Sequence, residues 1–100
     1  MNLVTSKINV RLYLGGDNDR AGQAFPLTKV VQVVQKYTSG ATFYEGYGVW
    51  NGVLEDSWVI ELFAYPEKDL KPLCQDLCKA FNQEAIAWSN IGDAGLIKST

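Results

Sequence analysis

Asn51-Gly52 stands between two runs rich in aromatic and β-branched residues, 41–50 and 57–65, and no other feature limits the fold of this chain so strongly. The pair tolerates the left-handed backbone that a tight connection needs, so between two such runs it predicts an antiparallel hairpin. The turn closes on Asn51-Gly52 or extends further, because Glu55-Asp56 also suit it. On the returning strand Trp58, Ile60 and Leu62 share one face, and Ser57, Val59, Glu61 and Phe63 share the other. On the outgoing strand Ala41, Phe43, Glu45, Tyr47 and Val49 alternate with Thr42, Tyr44, Gly46, Gly48 and Trp50. Large residues therefore lie on both faces. One face must pack beneath helices, while the other is free to meet a ligand or a neighbouring subunit, and the interior glycines permit close backbone approach.

Around this hairpin the periodicity changes in an ordered way. Ile8, Val10, Leu12 and Leu14 alternate with Lys7, Asn9, Arg11 and Tyr13, which predicts a strand with one buried face. A polar loop beginning Gly15-Gly16-Asp17 leads to Pro26. Leu27, Val30, Val31, Val34 and Tyr37 then recur at helical spacing, predicting a helix that runs to about Thr38 and stops at Ser39-Gly40. Pro66 is expected to open a second helix carrying Leu70, Leu73, Cys74, Leu77, Cys78 and Phe81 as an apolar stripe. Residues 85–89 predict a further strand, and Leu96-Ile97-Lys98 a short additional one. The order βαββαβ, with both helices covering one face of an antiparallel sheet, predicts an α+β ferredoxin-like domain spanning residues 1–100. Such a fold hosts many functions and selects none of them.

Composition removes several classes of chemistry. The chain has 100 residues, a net charge of −2 and no histidine. Serine and cysteine nucleophiles activated by histidine in the usual way are thereby excluded. The nine Lys and Arg residues are scattered and form no basic stripe, so no nucleic-acid partner is expected. No segment approaches the roughly 20 apolar residues of a membrane span, and a soluble, cytoplasmic protein is expected. Cys74 and Cys78, four apart on one helical face, read as reduced apolar residues, and without histidine a zinc site is not expected. Asp17-Asn18-Asp19 resembles the opening of a calcium loop. However, Ala21 cannot ligate through its side chain, and Thr28 stands where a bidentate Glu is needed, so a solvated acidic turn is the better reading. Glu55, Gln83 and Glu84 are polar positions beside the hairpin and in the last connection. By position alone they are solvated.

The aromatic segment Tyr44-Glu45-Gly46-Tyr47-Gly48-Val49-Trp50 with its downstream Glu55, the stretch 73–88 ending in Gln83-Glu84-Ala85-Ile86-Ala87-Trp88, and Asp93-Ala94-Gly95-Leu96-Ile97 together resemble the bacteriophage S-adenosylmethionine lyases, formerly called hydrolases. The resemblance runs from the first strand to the last, with dispersed identity. It implies a homotrimer similar to the PII-like proteins, with the ligand held between subunits in the host cytoplasm. It also implies cleavage of S-adenosylmethionine to methylthioadenosine and homoserine lactone with no cofactor and no metal, depleting the substrate of host methylation and restriction. Under this resemblance Glu55 and Tyr44 are the catalytic candidates, Glu55 orienting the cationic part of the substrate. Tyr44 or Tyr47 would shape the sulfonium pocket, Phe43 or Trp50 would stack on adenine, and Gln83 would reach the ligand from an adjacent subunit. Two other readings of the same residues are a non-enzymatic PII-like protein binding an adenosine-containing signal and a structural oligomer whose aromatics bury an interface.

Overall fold

A computed structural model describes residues 6–93 of the chain. The elements follow in the order β1 (Lys7–Leu14), α1 (Leu27–Val34), β2 (Thr42–Trp50), β3 (Val53–Pro66), α2 (Leu70–Ala80) and β4 (Ala87–Asn90). The four strands lie side by side as β2-β3-β1-β4, and every neighbouring pair is antiparallel. This is the ferredoxin-like arrangement.

Register shows why the sheet has one apolar face. Val10, Leu12 and Leu14 stand opposite Leu62, Ile60 and Trp58, so their side chains emerge on the same side. Val30, Val33 and Val34 of α1 and Leu70, Leu73 and Leu77 of α2 join them in one core, and among the described residues no buried one is polar or charged. The other face carries Arg11, Tyr13, Ser57, Val59, Glu61 and Ser89.

The hairpin turn closes on two residues. Asn51 and Gly52 adopt φ of 50° and 77°, the doubly left-handed turn whose twist suits adjoining strands. Glu55 and Asp56 therefore sit within β3, opposite Gly48 and Tyr47, and not in a longer loop. The first residues of β3, Val53 to Ser57, pair with β2 and not with β1. The hairpin thus extends beyond the three-stranded part of the sheet, and Tyr47 near its tip is 82% exposed.

Other boundaries depart from the sequence reading. Helix α1 ends at Val34 and not at Thr38, because the amides of Lys36 and Tyr37 bond the carbonyls three residues back in a tightened final turn. Pro66 closes β3, and a single 3-10 turn, Glu67–Asp69, intervenes before α2. Pro72 is accommodated in the first turn of α2, where its missing N–H has no partner to lose. The anticipated strand at Leu96-Ile97-Lys98 lies outside the described residues. A bulge where β3 faces Asn9 interrupts the register between Ile8 and Val10. There Ala64 takes a φ of 50°, and its amide donates to Asn9 Oδ1 at 2.9 Å. The extra residue returns Tyr65 to the core side, where it is 3% exposed.

Candidate functional site

A cleft of about 510 Å³ opens on the face of the sheet that the helices leave bare. Tyr13, Val59 and Ala87, mutually aligned across three strands, form its floor. Gly46, Gly48, Trp50 and Glu55 border it from the hairpin, and residues 82–85 from the connection after α2. Its size lies within the range of small-molecule sites.

Four of the six candidate residues named from the sequence line this cleft: Tyr47, Trp50, Glu55 and Gln83. Trp50 and Glu55 share the open face through strand alternation. Tyr47 alternates to the other face, and it borders the cleft where Gly46 and Gly48 leave the β2 backbone bare. Gln83 belongs to the same chain as Glu55 and lies next to it, so its presence in the site requires no adjacent subunit. Its Nε2 donates to the carbonyl oxygens of Phe81 at 3.2 Å and Gly16 at 3.4 Å.

The other two candidates lie elsewhere. Phe43 stands opposite Ile60 on the helix side and packs against the core, away from any ligand in the cleft. Tyr44 is on the open face but outside the cleft. Its hydroxyl donates to Glu61 Oε2 at 3.0 Å, and the same oxygen accepts from Arg11 Nε at 2.6 Å. The Arg11 hydrogen bond holds the Glu61 carboxyl below its ordinary range, while burial, followed by the bond to Glu61, pushes the Tyr44 phenol up. Glu55 stands opposite Gly48, four positions along β2 from Tyr44, so the two proposed catalytic groups do not meet within one chain.

The charge of the cleft is one-sided. Glu55 and Glu84 line it, and no Lys or Arg appears among its described lining residues. The Glu55 carboxylate has no hydrogen-bond or ion-pair partner among the described residues. A site of this kind attracts cations and opposes phosphates. Nothing in the local pattern separates Glu84 from an ordinary connection residue, and no signal marks Tyr13 as floor. Pairing of β1 with both β3 and β4 puts Tyr13 there. Cys74 and Cys78 lie on the opposite side of the molecule as free thiols. Burial pushes Cys74 up to about 11, which makes it a poor nucleophile. No helix among the described residues is long and apolar enough to cross a membrane.

No family model matches the chain, and no curated protein matches it in sequence. Among solved structures it is similar to a DUF3240 family protein from Shewanella baltica, at 15% identity and a TM-score of 0.60, over 96% of this chain and 100% of that one. At that identity the likeness shows the fold alone, a small α+β domain with the same layering of helices on an antiparallel sheet.

Proposed function

We propose that the chain is an S-adenosylmethionine lyase. The observation that carries this reading is the open-face cleft, which offers acidic side chains, an aromatic ring and bare backbone but no described cationic residue. A nucleotide would bring phosphates into an acidic cavity, whereas S-adenosylmethionine brings adenosine, a sulfonium and an ammonium without any phosphate. The sequence resemblance to the phage lyases supports the same choice.

The chemistry asks little of the protein. A carboxylate oxygen of the substrate attacks its own γ-carbon, the carbon–sulfur bond breaks, and sulfur keeps the electron pair as neutral methylthioadenosine departs. The carboxylate and γ-carbon close into homoserine lactone. No proton need be transferred, so the missing histidine costs nothing. Holding the chain in a near-attack conformer supplies the acceleration. Glu55 orients the cationic end, and Trp50 offers a ring face to adenine or to the sulfonium. Because Tyr44 lies outside the cleft and is bound to Glu61, its part in this reading is to hold the sheet surface and not to contact substrate. The hairpin tip, with Tyr47, Val49, Val53 and Leu54 exposed, is the surface through which a homotrimer would complete the site.

The test is incubation of purified protein with S-adenosylmethionine, with the products resolved by liquid chromatography and mass spectrometry. Protein-dependent methylthioadenosine and homoserine lactone are expected, and Glu55→Gln is expected to lower the rate about 100-fold by removing a preorganised charge. Unchanged substrate would end the lyase reading. Ligand-dependent thermal stabilisation without turnover would favour a binding protein in its place.

A further inference from the structure

Gly15, the first residue after β1, has no role in the sequence reading, yet it lies against two polar side chains of the cleft. A Cβ placed on it would stand 2.7 Å from Glu55 Oε1 and 3.0 Å from Gln83 Oε1. Its backbone does not call for glycine, since among the described residues the left-handed glycines are Gly22, Gly52 and Gly92. What this position requires is room. The orientation of Gln83 follows from its own bonds: with Nε2 committed to the carbonyls of Phe81 and Gly16, Oε1 is the end turned toward Gly15. Two acceptor oxygens, one charged and one neutral, thus lie side by side against Gly15 at the edge of the cleft, with no side-chain donor bonded to either among the described residues.

Two acceptors and no donor select a particular group. A primary ammonium carries three N–H bonds and a positive charge, and it can satisfy both oxygens at once. A sulfonium has the charge but no N–H, and a phosphate has the wrong sign. We propose that Gly15 is a positioning residue whose missing side chain lets Glu55 Oε1 and Gln83 Oε1 form a seat for the primary ammonium group of the ligand. The seat rests on the S-adenosylmethionine reading for the rest of the ligand, and it assigns the Glu55 end of the cleft to the amino group and not to the sulfur. An ammonium anchored there fixes one end of the aminobutyrate chain, so the carboxylate and γ-carbon are left to fold toward each other.

The probes are an uncleavable S-adenosylmethionine analogue with nitrogen in place of sulfur, and the same compound with hydrogen replacing its α-amino group. Both are titrated calorimetrically against wild type, Gly15→Ala and Gln83→Leu. Wild type is expected to bind the amine roughly 10- to 100-fold more tightly than its deaminated partner, as a charge-assisted pair of hydrogen bonds allows. Each variant is expected to erase most of that ratio by weakening the amine far more than the deaminated compound, whereas general damage to the fold would weaken both alike. Equal affinity of wild type for the two compounds would overturn the seat while leaving the S-adenosylmethionine reading in place. A ratio preserved in Gly15→Ala but lost in Gln83→Leu would remove Gly15 from it. Failure of wild type to bind either compound would sink the ligand reading itself, and the seat with it.

Discussion

The two faces of the sheet are built from the same strands and have opposite characters. Along β1, Val10, Leu12 and Leu14 are fully buried, while Arg11 and Tyr13 between them face the open side. Along β3, Ile60 and Leu62 lie beneath the helices, while Glu61 bonds Arg11 and Tyr44 on the surface. Among the described residues no polar or charged residue is buried on the first face, and most of the polar side chains that line the cleft lie on the second. The core and the cleft floor are therefore separated by side-chain parity, one residue apart. Substitutions on the two faces should fail in different ways.

The largest effect belongs to the closed face. Leu12→Ala removes a fully buried side chain from the middle of the core, and it is expected to cost about 2–5 kcal/mol in urea unfolding through lost burial and the cavity left behind. Once folded, the variant should show nearly wild-type affinity for cleft ligands. A loss below about 1 kcal/mol, far under the usual range for such a truncation, would mean that the helix-covered face does not govern stability. On the open face Trp50→Ala should do the reverse. The side chain is 60% exposed, so unfolding free energy should change by no more than about 0.5 kcal/mol. Loss of its ring face should weaken S-adenosylmethionine binding by roughly tenfold, within the span of a cation–π or stacking contact. Strong destabilisation with affinity intact would make Trp50 a packing residue and remove the contrast at the hairpin.

How legible each face was follows from which signals are local. Alternation along β1 and around Asn51-Gly52 groups residues by strand face without reference to the rest of the chain, and so the sheet and the core leucines could be read directly, while which face of the hairpin is open could not. Glu55 remained ambiguous between turn and strand because the closing residue of a hairpin depends on backbone dihedrals that neighbouring polar residues do not reveal. The bulge at Ala64 was invisible for a related reason. Simple alternation carries Tyr65 to the side of Glu61, and only the bond from the Ala64 amide to Asn9, 55 residues away, turns it inward. The site was harder still. The convergence of Gly15, Glu55 and Gln83 joins the end of β1, the hairpin and the last connection, and no pattern in one segment reports on the other two. Tyr44 showed the same limit, since its aromatic neighbours suggested a pocket while strand register gave its hydroxyl to Glu61.

That register produces the smallest effect, and it bears on whether the open face contributes to stability at all. The Arg11 guanidinium, which stays charged throughout, lowers the Glu61 carboxyl below its ordinary value of 4.5. A carboxyl depressed in the folded state contributes stability that is fully present above the unfolded value and is lost as pH falls through the folded one. Glu61→Gln should therefore differ from wild type most above the ordinary carboxylate range and converge with it as the pH falls below that range, with a shallower acid limb in thermal melts across the interval. The difference should be small, because Arg11 is 43% exposed and solvent screens such a pair. Parallel acid limbs in the two proteins would show that the Arg11–Glu61–Tyr44 network adds nothing to folding. The closed face would then hold the sheet alone, and the network would be left with the shape of the surface beside the cleft as its only task.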